Sequence, residues 1–383
     1  MRQKCEGKKT MLFLSWRDIK APKKGGAEVF THEMLSRRNK KRIKVIHFSP
    51  MFDGAPKREV IDNVLYIRRG NIYSVIMYAL CYYIKHRKKI DYVVDQCNTH
   101  RFFTPFWVKK KKRIFFIHQM TREIWLRQMK KPWSIIGMQL ESAMTRIYRK
   151  TWTLTVSLST QQDLVDLGFD EDKIIILPEG IDFEPWQTNA WLKGSDYHFT
   201  YVGRYASYKG IDATVEAFCR FQKKYPVATL GIIGKKNEQY IQEVLEPIIK
   251  KYGVNHEKIT YHGFVSEEEK LQLMSQSHCL IFPSEREGWG LTVTEGAAVG
   301  TPSIVYNSPG LRDAVQMGQS GFMTSHNTVK NLVELMEKSV NDPSAYKHIQ
   351  TAAYKFSKEL NWDKTAVAFN KAIVKICQEG KNV

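Results

Sequence analysis

The sequence FPSEREGWGLTVTEGAAVGTPSIVYNSPGLRD fills positions Phe282 to Asp313. A continuous apolar run, Cys279-Leu280-Ile281-Phe282, leads into it and breaks at Pro283-Ser284, the pattern of a buried strand leaving a core. Two carboxylates, Glu285 and Glu287, and a Gly288-Trp289-Gly290 turn follow. The periodic segment Leu291 to Val299 then predicts a helix, stopped by Gly300-Thr301-Pro302. A Gly-rich loop feeding a helix leaves unpaired amides and the positive end of a dipole aimed at one point, which suits a phosphate. Glu287 and Glu295 are eight positions apart. One carboxylate can therefore face the phosphate-linked group of a ligand while the other accepts hydrogen bonds from vicinal hydroxyls of the same molecule. Taken alone, two acids flanking a helix start are equally well explained as solvated surface groups.

Working outward, strand and helix patterns alternate along the whole chain. Thr10 to Ser15 reads as a first strand, followed by Trp16-Arg17-Asp18, a polar loop, Gly25-Gly26-Ala27-Glu28 and a helix from Val29 to Arg38. Strands are expected at Ile43 to Phe48, Asn63 to Ile67, Tyr92 to Asp95, Arg113 to Ile117, Leu154 to Ser157 and Ile174 to Leu177. Helices are expected at Ile72 to Arg87, Trp133 to Arg149 and Thr160 to Leu167. The second half repeats the pattern, with strands at Phe199 to Val202, Thr229 to Ile233, Ile259 to His262, Cys279 to Phe282 and Ser303 to Tyr306. Its helices are expected at Asp212 to Tyr225, Glu238 to Tyr252, Glu267 to Ser275, Val329 to Val340, Tyr346 to Ser357 and Trp362 to Cys377. Such alternation predicts an α/β protein with parallel sheets covered by helices, whose ligands bind beyond the carboxyl ends of the strands.

At 383 residues the chain exceeds one ordinary core and fits two domains. Its 43% hydrophobic and 12% aromatic content is that of a globular protein. The longest largely apolar run, Ile72 to Ile84, is thirteen residues and too short to span a bilayer. The start, MRQKCEGKK, has neither an apolar core nor a cleavage site, so no signal peptide is expected. Cys5, Cys81, Cys97, Cys219, Cys279 and Cys377 show no metal-like or redox-like spacing and read as reduced thiols. Charge is placed unevenly: residues 1 to 182 carry 36 Lys+Arg against 18 Asp+Glu, so +18 of the net +20 lies there. A basic half suggests an anionic partner surface, nucleic acid or membrane. Lys109 to Arg113, five consecutive cations, also reads as a solvated loop before a strand.

The segment SEREGWGLTVTEGAAVGTPSIVYNSPG resembles the signature of retaining glycosyltransferases of family 4. The resemblance implies the GT-B fold: two Rossmann-like doubly wound domains facing each other across a cleft. The match extends over nearly the whole chain. Gly203-Arg204-Tyr205-Ala206-Ser207-Tyr208-Lys209-Gly210 resembles the family's donor-diphosphate motif, and an Arg and a Lys in one loop can share one pyrophosphate, Arg as a fork and Lys as a point charge. Gly25-Gly26 resembles the acceptor-side glycine loop, and FFIHQMTREIW resembles the segment whose strand-end histidine, here His118, approaches the donor sugar. Glu123 and Trp125 are expected near the acceptor. Gly263-Phe264-Val265 resembles the turn that contacts the nucleobase. Pro178-Glu179-Gly180-Ile181-Asp182 resembles Pro-Asn-Gly-Ile-Asp at the close of the first domain, with Glu179 in place of Asn. The resemblance therefore implies a first domain over 1–182, a donor-binding domain over 183–363, and a terminal helix, 364–383, returning to the first domain after Asn361-Trp362-Asp363.

What the resemblance implies chemically is transfer of a sugar from a nucleoside diphosphate sugar of UDP or GDP type to a hydroxyl acceptor, with retention. Arg204, Lys209 and the amides of Gly288, Trp289, Gly290 and Leu291 would stabilise the leaving phosphate, Glu287 would hold sugar hydroxyls and Glu295 the ribose. No cofactor and no metal are then expected; the one Asp-x-Asp match, Asp170-Glu171-Asp172, reads as a solvated loop. Glu287 could instead act as a nucleophile in a double displacement. The acceptor is expected to be a cell-envelope or lipid-linked saccharide, met by a cytoplasmic protein at the inner membrane face, with Ile72 to Lys89 as a candidate surface helix. A buried amphipathic helix explains that segment as well. Nucleic acid is not an expected partner, since no base-reading motif is present and a nucleic-acid binder gives no reason for the loops at 203–210 and 285–295. A nucleotide-sugar epimerase or a two-domain binding protein on a similar fold are the remaining alternatives.

Overall fold

The computed structural model of the protein describes residues 8–22, 24–97, 100–194 and 197–379. Cys5 and the last four positions of the expected 364–383 helix lie outside the described residues. Contacts divide the chain into two units, one of 1–121, 136–180 and 361–383, the other of 122–135 and 181–360.

The first unit is built on strands β1 (Lys9–Leu14), β2 (Ile43–Ser49), β3 (Arg58–Ile61), β4 (Val64–Arg68), β5 (Tyr92–Cys97), β6 (Arg113–Ile117), β7 (Trp152–Thr155) and β8 (Ile174–Ile176). They form one sheet in the order β3-β4-β2-β1-β5-β6-β7-β8, parallel except at β3. β1 shows why its sequence is apolar throughout: Met11 and Phe13 pack into the core on one face, Leu12 and Leu14 into the core on the other. Helices Gly26–Ser36 and Trp362–Glu379 cover the first face, with Phe30 edge-on to Trp362 at 5.6 Å. Gly180 is required beside that terminal helix, because a Cβ there would fall 2.5 Å from the Trp362 ring.

The β3–β4 hairpin was not expected from the sequence. β3 lies at the sheet edge and buries no residue, so it shows no alternation of polarity. Its turn residues Asp62 and Asn63 have φ of 44° and 64°, the conformation a two-residue hairpin demands and one that Asp and Asn tolerate. The hairpin matters because Arg68, at the end of β4, is fully buried and donates to Asp18 at 2.6 Å and to Glu59 at 3.0 Å. Asp18 also accepts from Ser49 Oγ at 3.1 Å. The loop between β1 and Gly25 is thus anchored at the carboxyl ends of β1, β2 and β4.

The second unit holds β9 (His198–Val202), β10 (Thr229–Ile233), β11 (Ile259–Gly263), β12 (Cys279–Phe282), β13 (Ser303–Val305) and β14 (Phe322–Met323), in the order β11-β10-β9-β12-β13-β14 and parallel throughout. Phe199, Tyr201, Phe218, Phe221, Leu230 and Leu280 form the centre of its core. The expected helix Glu238–Tyr252 is present with a π-helical stretch at Ile241–Leu245. Strand order reverses between β9 and β12, and the loops holding 203–210 and 285–290 leave the carboxyl ends of these two strands. Segment 122–135, expected in the first domain, groups with this unit instead. Two ion pairs tie it there, Glu123 Oε2 to Arg286 Nε at 2.8 Å and Arg127 Nη2 to Glu285 Oε1 at 2.5 Å.

Candidate active site

In the second unit, the loop after β9 and the loop after β12 run side by side. Glu285 N donates to Tyr208 O at 2.9 Å, and Ser284 Oγ to the same carbonyl at 3.2 Å. Gly210 permits this approach: its φ is 75°, and a Cβ would sit 2.3 Å from Pro283 O. The consequence is an ion pair between residues 78 positions apart, Lys209 Nζ to Glu287 Oε1 at 2.6 Å. Both side chains are mostly buried, 18% and 13% exposed. Arg204 lies exposed on the same loop. Tyr201, fully buried, donates its hydroxyl to Arg204 O at 2.9 Å. Burial, with the Glu287 charge adding to it, pushes that phenol well above its usual range, so it remains a hydrogen-bond donor.

Gly290 has φ 120° and starts helix Leu291–Ala298, whose first amides have no partner within the helix. The Gly288-Trp289-Gly290 turn therefore presents backbone N–H groups beside the Lys209–Glu287 pair. The side chain of Trp289 goes elsewhere: it packs on the core, 6.3 Å from the ring of Phe356, so its contribution to a ligand is its backbone. Glu295 is 19% exposed and accepts from Lys270 Nζ at 3.0 Å, while Lys270 also bonds Glu267 at 2.6 Å. Burial raises the Glu295 carboxyl above its ordinary range against the pull of Lys270. Burial alone would lower the Lys270 ammonium, but the two carboxylates hold it up. Sequence reasoning missed Lys270: its helix was visible, its partner 25 positions away was not. Phe264 follows β11 and is 87% exposed, open for a planar ligand.

In the first unit, Gly25 is the N-cap of helix Gly26–Ser36, and its N–H is taken by Glu28 Oε2 at 2.6 Å. Arg17 Nε holds the other oxygen of Glu28 at 3.0 Å. A carboxylate already occupies this helix terminus, so the glycine loop suits hydroxyl groups better than a second anion. His118 leaves β6 and is 7% exposed, with its ring against Phe30 at 5.2 Å and Phe116 at 4.5 Å. The Gln96 side-chain amide bridges Thr31 Oγ1, at 2.7 Å, and His118 Nε2, at 3.1 Å.

Burial lowers the His118 pKa to about 3 and that of His47 to about 4, against an ordinary value of 6.5. Between those values the unfolded chain binds protons that the folded chain refuses. Their contribution to stability is thus complete above pH 6.5 and is lost as pH falls toward the folded values, with a slope of up to about 1.4 kcal/mol per pH unit for each histidine. Denaturant titrations at pH 7 and at about 5 are expected to show this loss, and His118→Gln to remove one histidine's share of the slope. An unchanged slope in that variant would contradict a buried neutral imidazole.

Comparison with known proteins agrees with this geometry. The family model of Glycosyltransferase Family 4 matches residues 24–185, and that of Glycosyl transferases group 1 matches residues 183–356. A glycogen synthase of Mycobacterium tuberculosis is 28% identical over 218 residues, 56% of this chain and 52% of that protein. The capsular polysaccharide biosynthesis glycosyltransferase CapM of Staphylococcus aureus is 26% identical over 231 residues, 57% of this chain and 58% of that one. The chain thus spans about half the length of the curated relatives it matches. Among solved structures, a sucrose-phosphate synthase from Thermosynechococcus elongatus superposes with a TM-score of 0.77 over 97% of this chain and 100% of that one, at 16% identity, which speaks for the fold. The two family models meeting at 183–185 and the two doubly wound sheets lead to one conclusion: the chain belongs to the family 4 glycosyltransferases of GT-B fold.

Proposed function

We propose that the protein transfers a sugar from a nucleoside diphosphate sugar to a hydroxyl group of a saccharide acceptor, with retention at the anomeric carbon and without a metal. The observation that carries this reading is the Lys209–Glu287 pair at the mouth of the Gly288–Leu291 turn. One loop supplies cations, the other supplies amides and a carboxylate, and a diphosphate sugar has complementary parts for each. The bond from the anomeric carbon to the phosphate oxygen breaks, the bond to the acceptor oxygen forms on the same face, and the acceptor proton passes to the departing phosphate. Lys209, Arg204 and the turn amides stabilise the charge growing on that phosphate. Glu287 binds sugar hydroxyls with the oxygen that Lys209 leaves free, and Glu295 with Lys270 holds the ribose. His118 is the group proposed to meet the sugar. A carboxylate held 2.6 Å from an ammonium is a poorer nucleophile than a free one, which favours this route over double displacement.

The acceptor proposed is a cell-envelope glycan on a lipid carrier, in keeping with the relative named for capsular polysaccharide and with the +18 charge of residues 1 to 182. The test is a panel of UDP- and GDP-sugars incubated in EDTA without acceptor, reading slow release of nucleoside diphosphate. One sugar is expected to be turned over, and its nucleoside diphosphate to raise the melting temperature without magnesium. No turnover and no binding of any nucleotide sugar would sink the reading. Activity restored only by a divalent cation would sink its metal-free part.

A further inference from the structure

Helices Glu267–Gln276 and Leu291–Ala298 carry, one each, the two members of the Lys270–Glu295 pair. Each comes after a strand and runs back from its carboxyl end, so both helices finish on the side of the second unit away from the donor loops. One side chain joins those two ends. Lys193 Nζ donates to Ser277 O, the cap of the first helix, at 2.6 Å, and to Thr301 Oγ1, just past the second, at 2.6 Å. The Thr301 hydroxyl extends the connection by donating to Met274 O at 2.6 Å. A helix end leaves carbonyls without partners, and a cation there also meets the negative end of the dipole.

The segment that delivers Lys193 lies over these ends as a strap. Trp186 N donates to Ala298 O at 2.9 Å, and Leu192 N to Ser275 Oγ at 3.1 Å. Trp191 covers Gly300, where a Cβ would fall 2.3 Å from its ring. Among the described residues no carboxylate faces the Lys193 ammonium; its acceptors are a carbonyl and a hydroxyl, and burial lowers its pKa to about 7. Burying an unpaired cation is unfavourable, and an apolar side chain would fill the space without that penalty. What the ammonium alone supplies is a donor to both helix ends at once. Lys270 and Glu295 sit seven and six positions before Ser277 and Thr301, so the joined ends and the ion pair are two fixed points along the same pair of helices.

We propose that Lys193 is a positioning residue of the donor site, which by joining the ends of the two helices sets Glu295 where that carboxylate takes the ribose. This rests on the transferase reading for the ribose role of Glu295. The test is titration of two ligands, the nucleoside diphosphate of the sugar found active in the panel and inorganic pyrophosphate, which has no ribose. They are titrated into the wild type, Lys193→Met, Lys193→Gln, Glu295→Ala and the Lys193→Met/Glu295→Ala double variant. The wild type is expected to bind both ligands. Lys193→Met should bind the nucleoside diphosphate about tenfold more weakly and pyrophosphate within about twofold of the wild type, with Lys193→Gln, which keeps an N–H donor, in between. The donor KM should rise by the same factor with kcat within about threefold. The double variant should lose little beyond Glu295→Ala, since both changes act through one carboxylate.

A Lys193 residue that only supports the fold would lower the melting temperature and leave the ratio of the two affinities unchanged, which overturns the proposal. So does a double variant whose loss is the product of the single ones, or a changed ratio in Lys193→Met beside an unchanged one in Glu295→Ala. If Lys193→Met does not fold, the ratio in Lys193→Gln decides. A wild type that binds no nucleoside diphosphate overturns the transferase reading itself, and this role with it; a wild type that binds one, with the ratio unmoved by Lys193→Gln, overturns this role alone.

Discussion

Lys209→Ala is expected to lower the rate of donor turnover by about 10²- to 10³-fold, and Glu287→Ala by a similar factor, with the double variant falling little further. The reason is the 2.6 Å contact between them in a site where each is less than one-fifth exposed. On the proposed reading, removing Lys209 takes a cation from the leaving phosphate, and it also leaves the mostly buried Glu287 without its partner. Removing Glu287 frees Lys209 from the position in which it is proposed to meet the diphosphate. Groups that act as one unit give losses that do not multiply. Steady-state kinetics on the sugar found active in the panel would check this, with Glu287→Gln as the conservative member. If the double variant shows the product of the two single losses, the side chains act independently and the paired site is wrongly drawn.

Gly310→Ala is expected to lower turnover by roughly 10²-fold although no part of residue 310 is assigned to a ligand. Gly310 has φ 80°, and a Cβ there would lie 2.3 Å from the carbonyl oxygen of Glu287. That oxygen belongs to rigid backbone, since Glu287 N donates to Pro309 O at 3.0 Å. Accommodation must therefore move the Glu287 backbone itself, and misplacement of a catalytic group by about 1 Å costs on the order of a hundredfold. The positive φ adds strain of about 1–2 kcal/mol, so the melting temperature should fall as well. Kinetics and thermal unfolding of the same preparation distinguish the two effects. Unchanged turnover in a destabilised variant would show that the Pro309-Gly310 loop supports the fold without positioning Glu287.

Much of the molecule was legible because its elements are defined by local pattern. β6 spans Arg113–Ile117, β10 Thr229–Ile233 and β12 Cys279–Phe282, each where an apolar run stops at a polar or Gly-rich loop. β3 was not legible, since an edge strand with no buried residue carries no alternation. The grouping of 122–135 with the second unit was not legible for a different reason. That segment follows β6 in the chain, but its cations and acids find their partners in Glu285 and Arg286. Helix Trp133–Arg146 was expected as a helix from its period, which reports that two faces differ and is silent about which one faces inward.

The sequence by itself determined the α/β class, the order of nearly all elements, the loops at 203–210 and 285–295 that leave the ends of strands, and the basic character of the first half. Tertiary structure alone decided who pairs with whom. Lys209 and Glu287 meet because β9 and β12 are neighbours in the sheet, and Lys270 reaches Glu295 from the preceding helix. It also decided that His118 is buried against the Gln96 amide, and that Trp133, Ile136 and Leu140 of helix Trp133–Arg146 face outward. The physical reason is that burial periodicity and turn chemistry act over a few residues, whereas an ion pair, a buried hydrogen bond or the direction of a helix face depends on groups that only the folded chain brings together.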